Sequence, residues 1–189
     1  MKATTVIYFA IISLFSCDGG KQDSVRLAHE ENLNSAIDER ISEFMTQAAD
    51  AHMLALQQAE LAVSKSSSPH VTEFATWMAA EQKRLLQNLR MLAAQKNIIL
   101  PQAPGNRSAE NLEDLKEEED LDKAFINAMQ KNYKDVVDIF EDGTDVRDED
   151  VQLFAKSNLP VVESHLARIE EMEQNTPANN PVTEDNESN

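Results

Sequence analysis

Four polar side chains interrupt the apolar stripes of this sequence at positions where they could act together. His52 lies beside the first stripe, Gln82 lies on the second, and Tyr133 and His165 lie on the third and fourth. If these stretches are antiparallel helices of similar length, the four side chains share one buried layer. Such a layer must pair its polar groups, because each unpaired buried group costs about 1–3 kcal/mol. The pattern therefore predicts either a structural hydrogen-bond network or the remnant of a site.

A metal centre is the catalytic interpretation of this layer. Di-metal sites in helical bundles use inward carboxylates and Glu-x-x-His pairs. The residues three positions before the four histidines are not acidic; they are Arg26, Ala49, Ser67 and Val162. Two imidazoles, an amide and a phenol also lack the anionic oxygens that iron or manganese prefers. We therefore expect no metal, no other cofactor, no catalytic residues and no enzymatic activity. Partial exposure of the layer and occasional transition-metal binding remain as alternatives.

Two acidic segments carry further oxygen ligands. Residues 142–150 lack the alternating acids and the glycine of an EF-hand loop, so they favour helix capping at a turn over a calcium site. Residues 110–122 contain eight acids, which is typical of a solvated helix face or of a surface that attracts a basic partner.

The single cysteine predicts a covalent anchor. Residues 1–16 carry an apolar run that is too short to span a bilayer and fits a secretory signal. Leu14-Phe15-Ser16-Cys17 resembles the bacterial lipobox, and this resemblance implies cleavage between Ser16 and Cys17 and lipidation of Cys17. Acyl chains would then hold the protein at the membrane without a spanning helix. An ordinary signal peptide with an incidental cysteine is the alternative.

Composition narrows the remaining function classes. The chain has 17 basic and 34 acidic residues among 189, a formal charge of −17, which argues against nucleic acid as a partner. One cysteine excludes an internal disulfide and a cysteine-ligated zinc site. With 41% hydrophobic residues but only 4 Gly and 6 Pro, the composition favours a helical globular domain over an all-β fold.

Apolar periodicity divides the chain into four parts. Residues 1–16 form the predicted lipoprotein signal peptide, 17–34 a flexible tether, 35–173 a helical domain and 174–189 a disordered tail. Amphipathic stretches begin at Ser35, Pro69, Phe125 and Val151. Their steps of three and four residues predict an all-α fold, an antiparallel four-helix bundle. The acidic segment in the second connection predicts a short extra helix.

Short motifs in the helical domain occur in a characteristic order. They are Phe74-Ala75-x-x-Met78-x-x-Glu81-Gln82, Leu121-Asp122-Lys123-Ala124-Phe125, Tyr133 to Phe140-Glu141, and Leu159-Pro160 with His165-Leu166. Over about residues 37–172 they resemble the bacterial ferritin-like family named domain of unknown function 4142, described as predicted outer membrane proteins or lipoproteins. The family commonly has histidine at the positions of Gln82 and Tyr133 and an acid at Ala55, whereas His165 matches. The resemblance implies a ferritin-like bundle whose histidine-rich centre is largely lost in this chain.

The predicted function is a noncatalytic binding or structural role in the cell envelope. The chain would be lipid-anchored at the periplasmic face or outer membrane. Its expected partners are the membrane, through lipidated Cys17, and an unidentified envelope protein. The alternative is a metal-binding ferritin-like oxidoreductase or a metal- or stress-protection protein. Asp18 leaves the choice of membrane open, and the sequence also leaves open the ligand and the oligomeric state.

Overall fold

The computed structural model describes residues 23–175 and contains six α-helices and no strand over that range. They are α1 (Ser24–Asn34), α2 (Glu39–Lys65), α3 (Pro69–Lys96), α4 (Asn106–Glu117), α5 (Leu121–Gly143) and α6 (Glu149–Asn175). The expected all-α class is confirmed for this part of the chain. None of these helices is long and apolar enough to cross a membrane. The predicted signal peptide, Ser16, Cys17 and residues 176–189 of the predicted tail lie outside the described residues.

The first predicted helix begins later than expected. Ser35 was predicted as its N-cap, but Ser35 instead ends α1. Asp38 caps α2, since its side chain accepts hydrogen bonds from the backbone N–H groups of Arg40 and Ile41. Between the two helices, Ala36 has a φ of 60°, which breaks helical geometry. The predicted N-cap at Ser35 is therefore wrong by three residues.

The remaining helices begin and end close to the expected positions. Ser68 caps α3, Pro69 is its first residue, and Asn97 ends it in the left-handed conformation. The acidic connection forms α4, which begins and ends a few residues earlier than the segment predicted. Gly143 is the last residue of α5. Helix α6 continues past the predicted domain end at residue 173, so the first two residues of the predicted tail are helical.

Helix α1 corrects the prediction of a flexible tether for residues 24–34, whereas residues 17–22 of that segment lie outside the described residues. Its sequence is polar, but Asn32 is fully buried and joins α1 to the loop after α3. The Asn32 amide donates to the backbone oxygen of Ile99 at 2.9 Å and accepts from the Ile99 N–H at 2.7 Å. It also donates to Ser42 Oγ on α2, which His29 contacts as well. These contacts fix a segment that its apolar content alone would leave unfolded.

Two aspartates hold the N-terminus of α4. Gly105 precedes this helix and has no side chain to cap it. Asp23 caps α1 through Oδ1, while its Oδ2 accepts from the Asn106 N–H at 3.0 Å. Asp50 on α2 accepts from the Gly105 N–H and from Ser108 Oγ, both at 2.7 Å. Two carboxylates are also favourable there because the helix dipole is positive at its N-terminus.

Helix α2 packs against α3 and α5, and α5 packs against α6. A stripe of small residues on α2 permits close approach, and its members are almost fully buried: Ala48, Ala55, Ala59 and Ala62. At the end of α5, Gly143 lies so close to Phe44 that an added Cβ would come within 2.6 Å of the ring. The polar residues of the predicted layer lie on α2, α3, α5 and α6, which surround this core.

Candidate functional site

The four polar residues of the predicted layer form one continuous chain of hydrogen bonds. His52 Nδ1 lies 2.8 Å from Gln82 Oε1, and Gln82 Nε2 lies 2.5 Å from the hydroxyl of Tyr133. The same hydroxyl lies 3.0 Å from His165 Nδ1. All four side chains are at most 4% exposed. The structure thus brings together every residue that the sequence placed in this layer.

Donor and acceptor chemistry sets the direction of this chain. An amide oxygen only accepts, so His52 Nδ1 must carry a proton and donate to Gln82. An amide nitrogen only donates, so Tyr133 receives that bond and gives its own proton to His165 Nδ1. His165 therefore carries its proton on Nε2 when it is neutral. The donors point successively from α2 to α3, α5 and α6.

The His165 end of the chain approaches solvent. Its Nε2 lies 3.7 Å from Glu81 Oε2, beyond hydrogen-bond distance, and Glu81 pairs instead with Arg84 at 2.8 Å. Trp77 contacts the imidazole edge to face, with ring centroids 5.1 Å apart, and Arg168 lies 4.0 Å above the indole. Burial lowers the pKa of His165, although the Glu81 carboxylate opposes this shift. His165 is thus neutral near pH 7, and Glu81, Trp77 and Arg168 lie between its ring and solvent.

The His52 end is closed within the core. Burial lowers the pKa of His52 to about 4, so the ring is neutral near pH 7. Its Nε2 has no hydrogen-bond partner among the described residues, and the ring packs against Phe140 with centroids 5.6 Å apart. A neutral imidazole protonated on Nδ1 has an accepting lone pair at Nε2. The chain therefore ends in one buried, unpaired acceptor.

The chemistry available to this layer is limited. Burial raises the pKa of Tyr133, so its hydroxyl stays protonated and acts as a hydrogen-bond bridge. No carboxylate takes part in the chain, and within residues 23–175 no three His, Cys, Asp or Glu side chains are grouped so that they could hold a metal ion. The layer can fix the relative positions of four helices and offer one lone pair. It contains neither an activated nucleophile nor a charged acid–base pair.

A second feature lies on the surface between α2, α4 and α5. We call it the acidic groove, a cavity of about 820 Å³. Its carboxylates are Asp50, Asp114, Glu118, Asp120, Asp135, Asp138 and Asp142. Its cations are Arg107, Lys123 and Lys131. The wall therefore has a formal excess of four negative charges. Burial raises the pKa of Asp50, which also lies under the start of α4.

The sequence predicted either a solvated face or a surface for a basic partner over residues 110–122, which contribute Asp114, Glu118 and Asp120 to the groove. The groove itself was not predicted, although two signals mark it. Asp135, Asp138 and Asp142 are spaced by three and four residues, which places them on one face of α5. Gln58 follows Ala55 by three residues and precedes Ala62 by four, so it interrupts the small-residue stripe of α2. Gln58 is 1% exposed, lines the groove, and its Oε1 accepts no hydrogen bond from the described residues.

Comparisons with known proteins locate the family and the fold. The family model for a domain of unknown function, DUF4142, matches residues 27–172. No curated protein matches the sequence. The crystal structure of a DUF305 fragment from Deinococcus radiodurans is similar with a TM-score of 0.64 and 13% identity, over 74% of this chain and 98% of that one. CopM in its Cu(II)-bound form is similar with a TM-score of 0.59 and 17% identity, over 72% and 96%. At these identities the two structures establish likeness of fold alone.

Proposed function

The chain belongs to the DUF4142 family, and we propose that this member is a noncatalytic, lipid-anchored binding protein of the cell envelope. In this proposal α2, α3, α5 and α6 form an antiparallel four-helix bundle of ferritin-like type, with α1 and α4 attached to its outside. Cys17 carries the lipid and places the folded domain beside the membrane, at the periplasmic face or the outer membrane.

One observation carries the noncatalytic part of this proposal. The hydrogen-bonded chain from His52 to His165 occupies the layer where a bundle of this type builds a metal centre, and it is assembled from neutral groups. A hard metal ion in that layer would need anionic oxygens to balance its charge. The four side chains instead hydrogen-bond to one another and leave only His52 Nε2 unpaired, which is close to what a structural network requires. Function then rests on surfaces of the domain.

Metal analysis tests this part directly. The full-length protein is purified without chelators, and iron, manganese, zinc and copper are measured by mass spectrometry. We expect substoichiometric amounts of all four, unchanged in His165→Gln. Near-stoichiometric metal that is lost in both His165→Gln and His52→Gln, with the helical circular dichroism retained, would overturn the noncatalytic proposal.

The anchor has its own test. Intact-mass analysis should show loss of residues 1–16 and addition of acyl groups at Cys17, and globomycin should block that processing. The Cys17→Ser variant should be absent from the membrane fraction, while its folded domain keeps a helical circular dichroism spectrum. An unmodified, secreted wild-type protein would contradict the anchor without bearing on the metal result.

A second candidate function is binding of a transition metal for metal or stress protection. The unpaired Nε2 of His52 favours it, since a buried neutral imidazole is a ready ligand for a soft or borderline metal. The structure of CopM that is similar in fold is of its Cu(II)-bound form, so copper is the first metal to try. Copper binding that disappears in His52→Leu but persists in the exposed-site variant His70→Leu would support this candidate.

A further inference from the structure

The acidic groove is lined by a residue whose buried acceptor is not satisfied by any group in the described part of the chain. Gln58 lines its α2 wall, and Gln58 Oε1 is buried without a hydrogen-bond donor among the described residues. An unpaired buried carbonyl is unfavourable and calls for a functional explanation, which a ligand with a hydrogen-bond donor supplies here. The groove therefore favours a ligand that carries N–H or O–H groups.

Charge narrows the class of that ligand to a cation. The groove has seven carboxylates and three basic side chains. None of the ion pairs within residues 23–175 includes Asp135 or Asp138, so these two carboxylates face the cavity without a cationic partner in the described chain. An anionic ligand would meet net repulsion at this wall.

The spacing of the carboxylates in the groove favours an organic cation over a metal ion as the ligand. Within the described range no three acidic or histidine side chains converge on one point, as a chelated metal requires. The carboxylates are instead distributed along the helices. Asp135 and Asp142 are seven residues apart on α5, which corresponds to about 10 Å along the axis. Several separated positive charges in one ligand match this arrangement better than a single point charge.

The groove also has apolar wall between its charges. The side chains concerned are Ala51, Leu54, Leu115, Ala124, Ala128 and Ile139. Methylene groups can cover such surface while ammonium groups reach carboxylates at the rim. Because α4 closes one side of the groove, a thin flexible chain fits it better than a folded basic protein does.

We propose that the acidic groove binds a linear aliphatic polyamine. Its ammonium groups pair with Asp135 and Asp138, its methylenes lie on the apolar wall, and one N–H donates to Gln58 Oε1. This inference rests on the proposed binding role and names the ligand class for it. The groove then works as a site that collects small organic cations beside the membrane.

Isothermal titration of the full-length protein with spermidine, in nonionic detergent, tests the proposal. We expect one saturable site. Asp135→Asn/Asp138→Asn should weaken binding roughly tenfold, since two partly exposed ion pairs are lost. Glu163→Gln/Glu171→Gln, which removes two exposed charges from α6 outside the groove, should leave affinity unchanged. Equal weakening in both double variants would overturn the proposal, because it would show diffuse charge attraction.

A second variant tests the buried acceptor. Gln58→Met keeps the length of the side chain but removes its hydrogen-bonding groups. We expect a higher melting temperature for the free protein and a smaller rise in melting temperature when spermidine is added. The opposite pattern would overturn the role assigned to Gln58.

Competing ligands decide the chemical class. Mg²⁺ at matched ionic strength and the peptide trilysine are titrated in the same way. Either one binding more tightly than spermidine, or an absence of saturable spermidine binding, would overturn the polyamine assignment. Cys17 lipidation and metal content are measured on the same sample. If the protein is lipidated and metal-free but does not bind spermidine, only the polyamine proposal is contradicted. If it is unlipidated but binds spermidine, only the lipid-anchor proposal is contradicted.

Discussion

Removing the Tyr133 hydroxyl should destabilise the protein more than a typical hydroxyl deletion. Tyr133 stands in the middle of the buried chain, where it accepts from Gln82 and donates to His165. Tyr133→Phe keeps the ring but leaves one buried donor and one buried acceptor unpaired. At about 1–3 kcal/mol for each of the two groups, the expected loss is roughly 2–6 kcal/mol in the free energy of unfolding. A chain of this size would melt about 2–4 °C lower for each kcal/mol lost.

Urea unfolding followed by far-ultraviolet circular dichroism measures this loss. Thr76→Val is the matched control, because it removes a hydroxyl that donates to a backbone oxygen in an exposed part of α3. Its cost should stay within about 0.5 kcal/mol.

A double-mutant cycle tests whether the stability lost in Tyr133→Phe comes from the buried hydrogen-bond network. In a Gln82→Met background the amide donor is already gone, so Tyr133→Phe should then cost about half as much. A Tyr133→Phe loss no larger than that of Thr76→Val, or one strictly additive with Gln82→Met, would refute the buried network.

Three further outcomes follow from the described contacts. Burial lowers the pKa of His52 from 6.5 to about 4, so the unfolded chain binds a proton that the folded chain excludes, and stability falls as the pH drops from 6.5 to 4. The free energy of unfolding, measured by urea at a series of pH values, should fall between pH 6.5 and 4 by on the order of 3 kcal/mol less in His52→Leu than in the wild type. An unchanged pH profile would contradict the assignment. Gly143→Ala should destabilise the protein by about 1–3 kcal/mol in calorimetry, despite the better helix propensity of alanine, because the new Cβ meets Phe44; a gain in stability would show that this close approach is absent. Asn32→Ala should speed amide hydrogen exchange throughout α1, whereas Asn34→Ala, an exposed change on the same helix, should not; equal exchange in both variants would remove Asn32 as the fastening residue.

Local sequence signals determined most helix boundaries but missed the long-range contacts. Ser68, Pro69 and Asn97 mark the ends of α3 because each acts on its own backbone. Helix α1 was not predicted because the contact that mainly stabilises it is the hydrogen bond between Asn32 and Ile99, which are 67 positions apart. A window of neighbouring residues carries no information about such a contact.

The two candidate sites differ in how much periodicity reveals. The buried layer was predictable because each member interrupts an apolar stripe near mid-length, and stripes that pack together align their interruptions. The acidic groove depends instead on where α4 lies across α2 and α5. That placement is set by Asp23 and Asp50 at its first turn, and neither residue stands out in a charge-rich sequence.

The shared use of Asp23 has a mechanical consequence. Its carboxylate holds the first turn of α1 with one oxygen and the first turn of α4 with the other. Tension applied to the chain ahead of Ser24 is therefore delivered to both helices at a single junction. A pull on that leading segment would therefore disturb the first turns of α1 and α4 together, whereas Asp50 would still tie the start of α4 to α2.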